Sequence, residues 1–213
     1  HGYDVVEAIK AMHEQKAKVF FAMGGNFLSA TPDTEYTAKA LQNCNLTVQV
    51  STKLNRSHII TGKQALILPC LGRSEKDVQA SGEQFVSVEN SMGVVHQSRG
   101  HLTPCSPHIK SEHAIVAGLA KATLTNTKTD WDALVSNYDL IRDKIEVTIP
   151  GFEDYNKRVR EKGGFYLPNN ARAGDFAPTK TGKANFTLNT PSDIVLDKDE
   201  FLMMTIRTHD QYN

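Results

Sequence analysis

Apolar and polar positions divide this chain into short blocks of changing period. Val5, Val6, Ile9, Ala11 and Met12 fall near a 3.6-residue repeat and predict a helix over Tyr3–Glu14. Lys18–Met23 is almost continuously apolar, the pattern of a strand covered on both faces. Thr31-Pro32-Asp33-Thr34-Glu35 reads as a helix start. Thr31 can cap it, Pro32 suits the first helical position, and the acids favour the positive end of the helix dipole. This helix runs to about Asn43, and Leu46–Val50 and Gln64–Leu68 are two more apolar strands, the second stopped by Pro69. The order strand, helix, strand, loop, strand, at roughly 25-residue spacing, predicts an α/β fold with a doubly wound parallel sheet and helices on both faces.

Further on, Phe85–Glu89 and Val94–Gln97 flank Asn90-Ser91-Met92-Gly93 and predict a hairpin. Helices are expected over Ser111–Leu124, Trp131–Val135 with Asp130 as cap, Tyr138–Lys144, and Gly151–Arg160. In the first of these, Ile115, Val116, Leu119, Ala120 and Leu124 share one side. The composition changes at Glu161: Gly163-Gly164, Pro168-Asn169-Asn170, Gly174 and Pro178 read as a linker over 161–180. Thr181–Leu188 alternates like a strand, and Phe201–Ile206 is a last apolar strand with a polar tail to Asn213. This gives an α/β domain over 1–160, a linker over 161–180, and the start of a second domain over 181–213.

Ligands of Rossmann-like sheets sit beyond the carboxyl ends of the strands. Those ends carry Gly24-Gly25-Asn26, Ser51-Thr52 and Pro69-Cys70, three polar groups on one edge. Glycine allows φ > 0 and close approach to the main chain, and Asn26 adds a donor and an acceptor. Taken alone, Gly-Gly-Asn reads more readily as an ordinary tight turn; the convergence of three strand ends brings a binding site level with it. Glu35 and Asp33 would repel a phosphate at the helix tip, so an anionic ligand should touch the Gly24–Asn26 loop.

Composition narrows the classes. The 213 residues carry 24 Lys+Arg and 24 Asp+Glu, against a dominant nucleic-acid or anionic-membrane partner. Apolar content is 39%, slightly low, which suggests surface normally covered by something else. No apolar run approaches the ~18 residues of a membrane span, and His1-Gly2-Tyr3-Asp4 is neither a secretory signal nor an initiator start. The chain therefore reads as an internal piece of a cytoplasmic protein. Cys44, Cys70 and Cys105 are far apart and fit a reducing compartment. They form no C-x-x-C pair, and the 8 histidines lack a ligand spacing, so no metal or iron–sulfur site is expected from this chain alone. His96 and His101 read as loop residues.

The pieces in their order resemble one family. They are Met23-Gly24-Gly25-Asn26-Phe27 with Ala30-Thr31-Pro32-Asp33, and Ser51-Thr52-Lys53-Leu54-Asn55-Arg56-Ser57-His58 followed by Ala65–Pro69. Gly72-Arg73-Ser74-Glu75, Val88–Gly93, Ile149–Glu153, Thr181–Ala184 and Arg207–Tyr212 complete the set. Together they resemble the molybdopterin-guanine-dinucleotide-dependent oxidoreductases, the formate dehydrogenase and dimethyl sulfoxide reductase superfamily. The nearest branch is that of soluble, formate-dehydrogenase-like alpha subunits associated with acid resistance. The resemblance implies a central α/β domain binding one of two pterin dinucleotides, and the first strand or strands of an incomplete β-barrel domain that closes over them. It implies that Gly24, Gly25 and Asn26, with Phe27 in the same motif, contact the phosphate or ribose. Ser51, Thr52, Asn55 and Ser57 would lie near the nucleoside, bordered by Pro69 and Cys70. Arg207, Thr208, His209, Gln211 and Tyr212 match the barrel segment that touches pterin or pyrophosphate, where Arg207 can pair bidentately.

Two departures matter. Glu75 has Gly82 seven positions on and Glu89-Asn90 further still, which shifts a loop that carries ligand contacts in the family. The family's metal ligand and any iron–sulfur cysteines lie upstream and match nothing here. The expected function is thus that of a cofactor-binding part of a molybdenum enzyme. The intact protein would carry out two-electron redox of a small substrate, formate being a candidate, with an electron-transfer subunit as a candidate partner and an iron–sulfur cluster, if any, outside this chain. The alternatives are a non-catalytic Rossmann-like nucleotide-binding or interaction module and, more weakly, the central domain of a thiamine-diphosphate enzyme.

Overall fold

The computed structural model describes residues 2–204. It is a mixed α/β structure with one parallel sheet and additional antiparallel strands. Helix α1 (Val5–His13) starts at Asp4, whose carboxylate accepts from the Glu7 amide at 2.8 Å. Strand β1 (Val19–Met23) follows, then a single turn α2 (Phe27–Ala30), helix α3 (Thr34–Asn43) and strand β2 (Leu46–Ser51). A 3-10 turn (Arg56–Ile59) leads to β3 (Gln64–Pro69). The three strands are parallel in the order β1-β2-β3, with Phe21 opposite Val48 and Val48 opposite Leu66.

Local chemistry differs from expectation at one helix start. The cap of α3 is Asp33, in left-handed conformation at φ 52°, accepting from the Tyr36 amide at 3.0 Å. Thr31 does not cap it, and Pro32 precedes the helix. Phe27–Ala30 forms its own turn, and the Thr31 hydroxyl donates back to Phe27 O at 3.0 Å, so the chain is committed before α3 begins.

Ile9 and Met12 of α1 pack on Ala40, Leu41 and Cys44 at the end of α3, with Leu28 and Phe20 closing the cluster. Strand β2 is buried over Thr47–Val50 because it has a neighbour on each side. Strand β1 does not have both faces covered: Phe20 and Ala22 are half-buried, while Val19 is 60% exposed. It is an edge strand among the described residues, as is β3. The strand order shows no reversal there, so of the expected doubly wound sheet the described residues hold a parallel stretch wound in one direction. Beyond β3 the chain at Lys110 runs parallel beside Cys70, with the Leu71 amide donating to Lys110 O at 3.0 Å.

Two short strands, β4 (Val78–Gln79) and β5 (Gly82–Glu83), form a small antiparallel pair. The expected hairpin is present as β6 (Val86–Glu89) and β7 (Val94–Ser98), which puts His96 in a strand rather than a loop. Helix α4 (Glu112–Thr123) is capped by Ser111 and α5 (Trp131–Ser136) by Asp130, as expected. Of α4 only Ala117 is buried, so its apolar side stays half-exposed, with Val116 and Leu119 facing outward. Helices α6 (Asp139–Glu146) and α7 (Tyr155–Arg158) complete this layer; the second keeps only the middle of the helix expected over Gly151–Arg160.

Within the segment read as a linker, β8 (Phe165–Tyr166) adds to β7, and a turn α8 (Asn170–Ala173) follows. Gly164 permits this pairing: at φ +73° a Cβ would lie 2.0 Å from Val95 O. Phe85, Val95, Tyr155, Val159 and Phe165 form the second core cluster. Arg172 stacks on Tyr166 and donates to Met92 O, pinning α8 to the hairpin turn. No regular element forms between Gly182 and Met204. Thr181–Leu188 is not a strand, because alternation needs a ladder partner and none of the described residues supplies one; Phe186 and Leu188 are almost fully exposed. The last expected strand is without regular structure over Phe201–Met204 and otherwise lies outside the described residues.

One buried charge ties α6 to the hairpin layer. Arg142 is nearly fully buried and donates to Phe85 O, Asn156 Oδ1 and the Asp139 carboxylate, to which Arg160 also donates through two contacts of 2.8 Å. Burial alone pushes the Asp139 carboxyl up, but hydrogen bonds and charge from Arg160 and Arg142 outweigh it and hold it below its ordinary value. A depressed carboxyl stabilises the fold above its unfolded pKa of about 3.9 and loses that contribution as pH falls through the lower folded value. Asp139→Asn is expected to lower unfolding free energy by about 2 to 3 kcal/mol at pH 7, because it leaves a buried guanidinium without its counter-charge. Urea unfolding of both proteins from pH 7 to pH 2.5 checks this: the gap should be constant down to about pH 4 and close below it.

Candidate functional site

The carboxyl ends of the parallel strands form the site. Strand β1 runs directly into Gly24 and Gly25, both left-handed at φ 67° and 71°. The Gly24 amide donates to Val50 O at 2.7 Å, so the first glycine still belongs to the sheet edge. A Cβ on either glycine would meet nothing within 4 Å. These glycines are therefore set by backbone conformation rather than by crowding, and the space in front of them is open.

The Asn55–His58 turn is stitched onto this loop. Asn55 Nδ2 donates to Gly25 O at 2.8 Å, and Asn55 Oδ1 accepts from the Ser57 amide at 2.9 Å. Ser57 Oγ donates to Asn26 Oδ1 at 3.0 Å and accepts from the Leu28 amide at 2.9 Å. The Asn55 amide donates to His58 Nδ1 at 3.0 Å, which leaves His58 Nε2 buried and without a partner among the described residues. Gly24, Gly25, Asn26, Asn55 and Ser57 thus come together as the sequence led one to expect. Ser57 is 2% exposed, so its hydroxyl holds the loop, while the face turned outward is the main chain around the exposed Gly25.

The other expected residues take different places on the same edge. Ser51 Oγ donates to Lys53 O at 2.7 Å and shapes its own turn. Phe27 packs its ring on Phe20, 4.8 Å between centroids. Pro69 is exposed opposite Ser51 at the end of β3. Cys70 is buried; burial pushes its thiol up, and the charges of Glu112 and Glu75 add to this. Thr52 lines a neighbouring cavity. Arg207, Thr208, His209, Gln211 and Tyr212 lie outside the described residues.

That cavity, about 470 Å³, continues the edge from Thr52 and Leu71-Gly72 to Glu75, Asp77, Ser87 and His113. Glu75 fixes its wall by accepting from the Gly72 amide at 2.6 Å and from the Cys105 amide at 3.2 Å. Gly100 must be glycine there, since a Cβ would fall 1.9 Å from Glu75 O. Behind the wall, Tyr138 is buried and donates to Asp77 Oδ2 at 2.5 Å, with Ser111 Oγ 2.8 Å from the same hydroxyl. Burial first, then the Asp77 hydrogen bond, raises the Tyr138 pKa and keeps the phenol protonated. His113 packs its ring, tilted by 34°, on Tyr138 at 4.3 Å between centroids. Burial pushes its imidazole below the ordinary value, against the pull of Asp77 and Glu112. At neutral pH this wall therefore presents a neutral imidazole beside Glu75 and Asp77, whose carboxylates already hold donors.

Asp77, Ser111, His113 and Tyr138 had no site signal in the sequence. Asp77 and Tyr138 are 61 positions apart, and only the crossing of the segment after β3 with α4 and α6 brings them together. Among the described residues, no three His, Cys, Asp or Glu side chains are placed to hold a metal ion. No described helix is long and apolar enough to cross a membrane.

Comparison with known proteins gives relatives along the whole chain. It is 48% identical over 214 residues to the protein named Uncharacterized oxidoreductase Rv2900c of Mycobacterium tuberculosis H37Rv. A Mycobacterium bovis protein, also named an uncharacterized oxidoreductase, matches equally. The protein named YdeP of Escherichia coli K12 is 45% identical over 217 residues. In each case the match covers all of this chain and 28% of the relative. No family model matches the chain.

Ser57 is the side chain on which the loop geometry depends. Ser57→Ala is expected to reduce stability by about 1 to 2 kcal/mol, because it leaves the buried Leu28 amide without its acceptor. Urea unfolding measures the loss, and amide exchange at Leu28 should rise at the same time.

Proposed function

We propose that this chain is the cofactor-binding part of a molybdopterin-guanine-dinucleotide-dependent oxidoreductase, with a Rossmann-like sheet whose edge receives one pterin dinucleotide. The observation that carries the reading is the open Gly24-Gly25 turn at the carboxyl end of β1, held from behind by Asn55 and Ser57. Similarity along the whole of this chain to 28% of the length of proteins named oxidoreductases supports the redox part. The donor set fits such a ligand: exposed main chain with no side chain in front suits a phosphate or ribose, and Thr52 at the cavity mouth supplies a hydroxyl beside it.

When bound, the pterin pair holds molybdenum and exchanges two electrons with a small substrate, for which formate is the candidate. The residues of this chain bind and orient the group. Gly25 lets the backbone approach it, and Asn26, fixed by Ser57, sets the direction of the turn. The wall of Glu75, Asp77 and His113 borders the space beyond β3. Its imidazole is held neutral and the phenol behind it protonated, and Arg73 is the cation in the same lining. Metal ligation and any iron–sulfur cluster belong to polypeptide outside this chain, and an electron-transfer subunit is the expected partner.

Gly25→Val tests the reading in the full-length protein produced with molybdate under low oxygen. Valine disfavours φ +71° and projects into the open space in front of the loop. The expected outcome is near-stoichiometric molybdenum and pterin in the parent, by mass spectrometry and by pterin fluorescence, and loss of most of both in the variant with its far-UV dichroism retained. A folded parent with neither metal nor pterin would leave a non-catalytic nucleotide-binding module as the reading.

A further inference from the structure

Gln84 and Phe85, which line the cavity beyond β3, also line a second pocket of about 200 Å³. Three guanidinium groups gather on the Phe85 ring there. The Arg142, Arg160 and Arg99 carbons stand 4.1, 4.9 and 5.4 Å from its centroid. Two carboxylates, Glu83 and Asp139, also line the pocket, so the lining carries one excess positive charge, and Lys76 adds another by pairing with Glu83 at 3.2 Å.

The arginines are not equivalent. Arg142 and Arg160 spend their donors on Asp139, Asn156 and Phe85 O, and hold the pocket's shape. Arg99 has, among the described residues, only Glu83 at 3.9 Å, beyond hydrogen-bond distance. Its side chain is exposed, at 39%, with one side against an aromatic ring. A planar fork with five donors, in a pocket of net positive charge and with no close acceptor, is suited to an oxyanion. Asn137 uses its side-chain oxygen on the Asp139 amide, at 3.0 Å, and its amide nitrogen remains as a second donor in the lining.

We infer that this pocket is a binding site for a small free oxyanion of phosphate or sulfate size, engaged by the Arg99 guanidinium. The volume sets the size. It is below the roughly 300 Å³ at which pockets for drug-sized ligands begin, and it suits a tetrahedral ion. Asp139 does not oppose the ion, because both its oxygens already accept from arginines, and the charge of Glu83 is offset by Lys76, which pairs with it at 3.2 Å.

The test is thermal unfolding of the full chain in inorganic phosphate, titrated against sodium chloride at constant ionic strength. A saturable rise in midpoint is expected. Arg99→Gln should weaken the apparent affinity by about tenfold or more, the loss of a charge-assisted hydrogen bond, and Arg99→Lys by less. The Arg99→Gln protein should unfold within about 1 °C of the parent in chloride alone, since it removes no close ion pair. A phosphate response no different from chloride, or one unchanged in Arg99→Gln, would overturn the inference. So would tighter binding of guanosine diphosphate than of phosphate through Arg99, which would make the ligand a nucleotide.

Discussion

One buried hydroxyl joins two loops that are distant in sequence. Ser57 Oγ takes the Leu28 amide and gives its proton to Asn26, across 29 and 31 positions. Asn55 adds a bond to Gly25 O from the same turn. A Gly-Gly turn at a strand end is otherwise loose, because glycine has more conformations to lose than any other residue. Here its freedom is removed by side chains arriving from beyond β2, and the main chain is left facing outward in one shape. An edge that presents backbone to a ligand has to be rigid before the ligand arrives, or ordering the loop would subtract from binding.

The same edge extends into a wall built on different terms. Around Gly24–Asn26 the available groups are backbone, neutral and open. From Gly72 to His113 they are charged or polar: Arg73, the carboxylates Glu75 and Asp77 with hydrogen-bond donors in place, Glu112, and an imidazole kept neutral by burial, backed by a phenol kept protonated. The buried Arg142, by contrast, faces away from this wall and joins α6 to the hairpin layer. Phe85 thus lies between two differently charged linings: Arg73 with three carboxylates and His113 on the cavity side, and three guanidinium groups with two carboxylates in the other pocket.

Much of the fold is legible from local pattern. The positions of β1, β2, β3, the β6–β7 hairpin and the Ser111 and Asp130 caps follow from apolar runs and cap residues. So does the placing of Gly24–Asn26, Ser51-Thr52 and Pro69-Cys70 on one edge, since each follows a parallel strand; the bonds from Asn55 and Ser57 to the glycine turn do not. What pattern could not carry is how neighbours divide the work. Thr31 looked like a cap, yet the preceding turn claims its hydroxyl. Phe165–Tyr166 lies among glycines and prolines that read as a linker, but Gly164 is what lets it reach β7. Thr181–Leu188 alternates without a partner. Asp77 and Tyr138 meet only through tertiary crossing, for which no periodicity gives a sign.

The central claim is that the Gly24–Asn26 main chain is the surface a pterin dinucleotide touches. Hydrogen–deuterium exchange on the full-length protein, prepared with and without molybdate and cofactor loading, tests it most directly. The account predicts that peptides covering Gly24–Leu28 and Ser51–Asn55 gain protection on loading, while those of the β6–β7 hairpin turn do not. Loaded protein whose Gly24–Leu28 peptide exchanges as fast as in the cofactor-free form would contradict it.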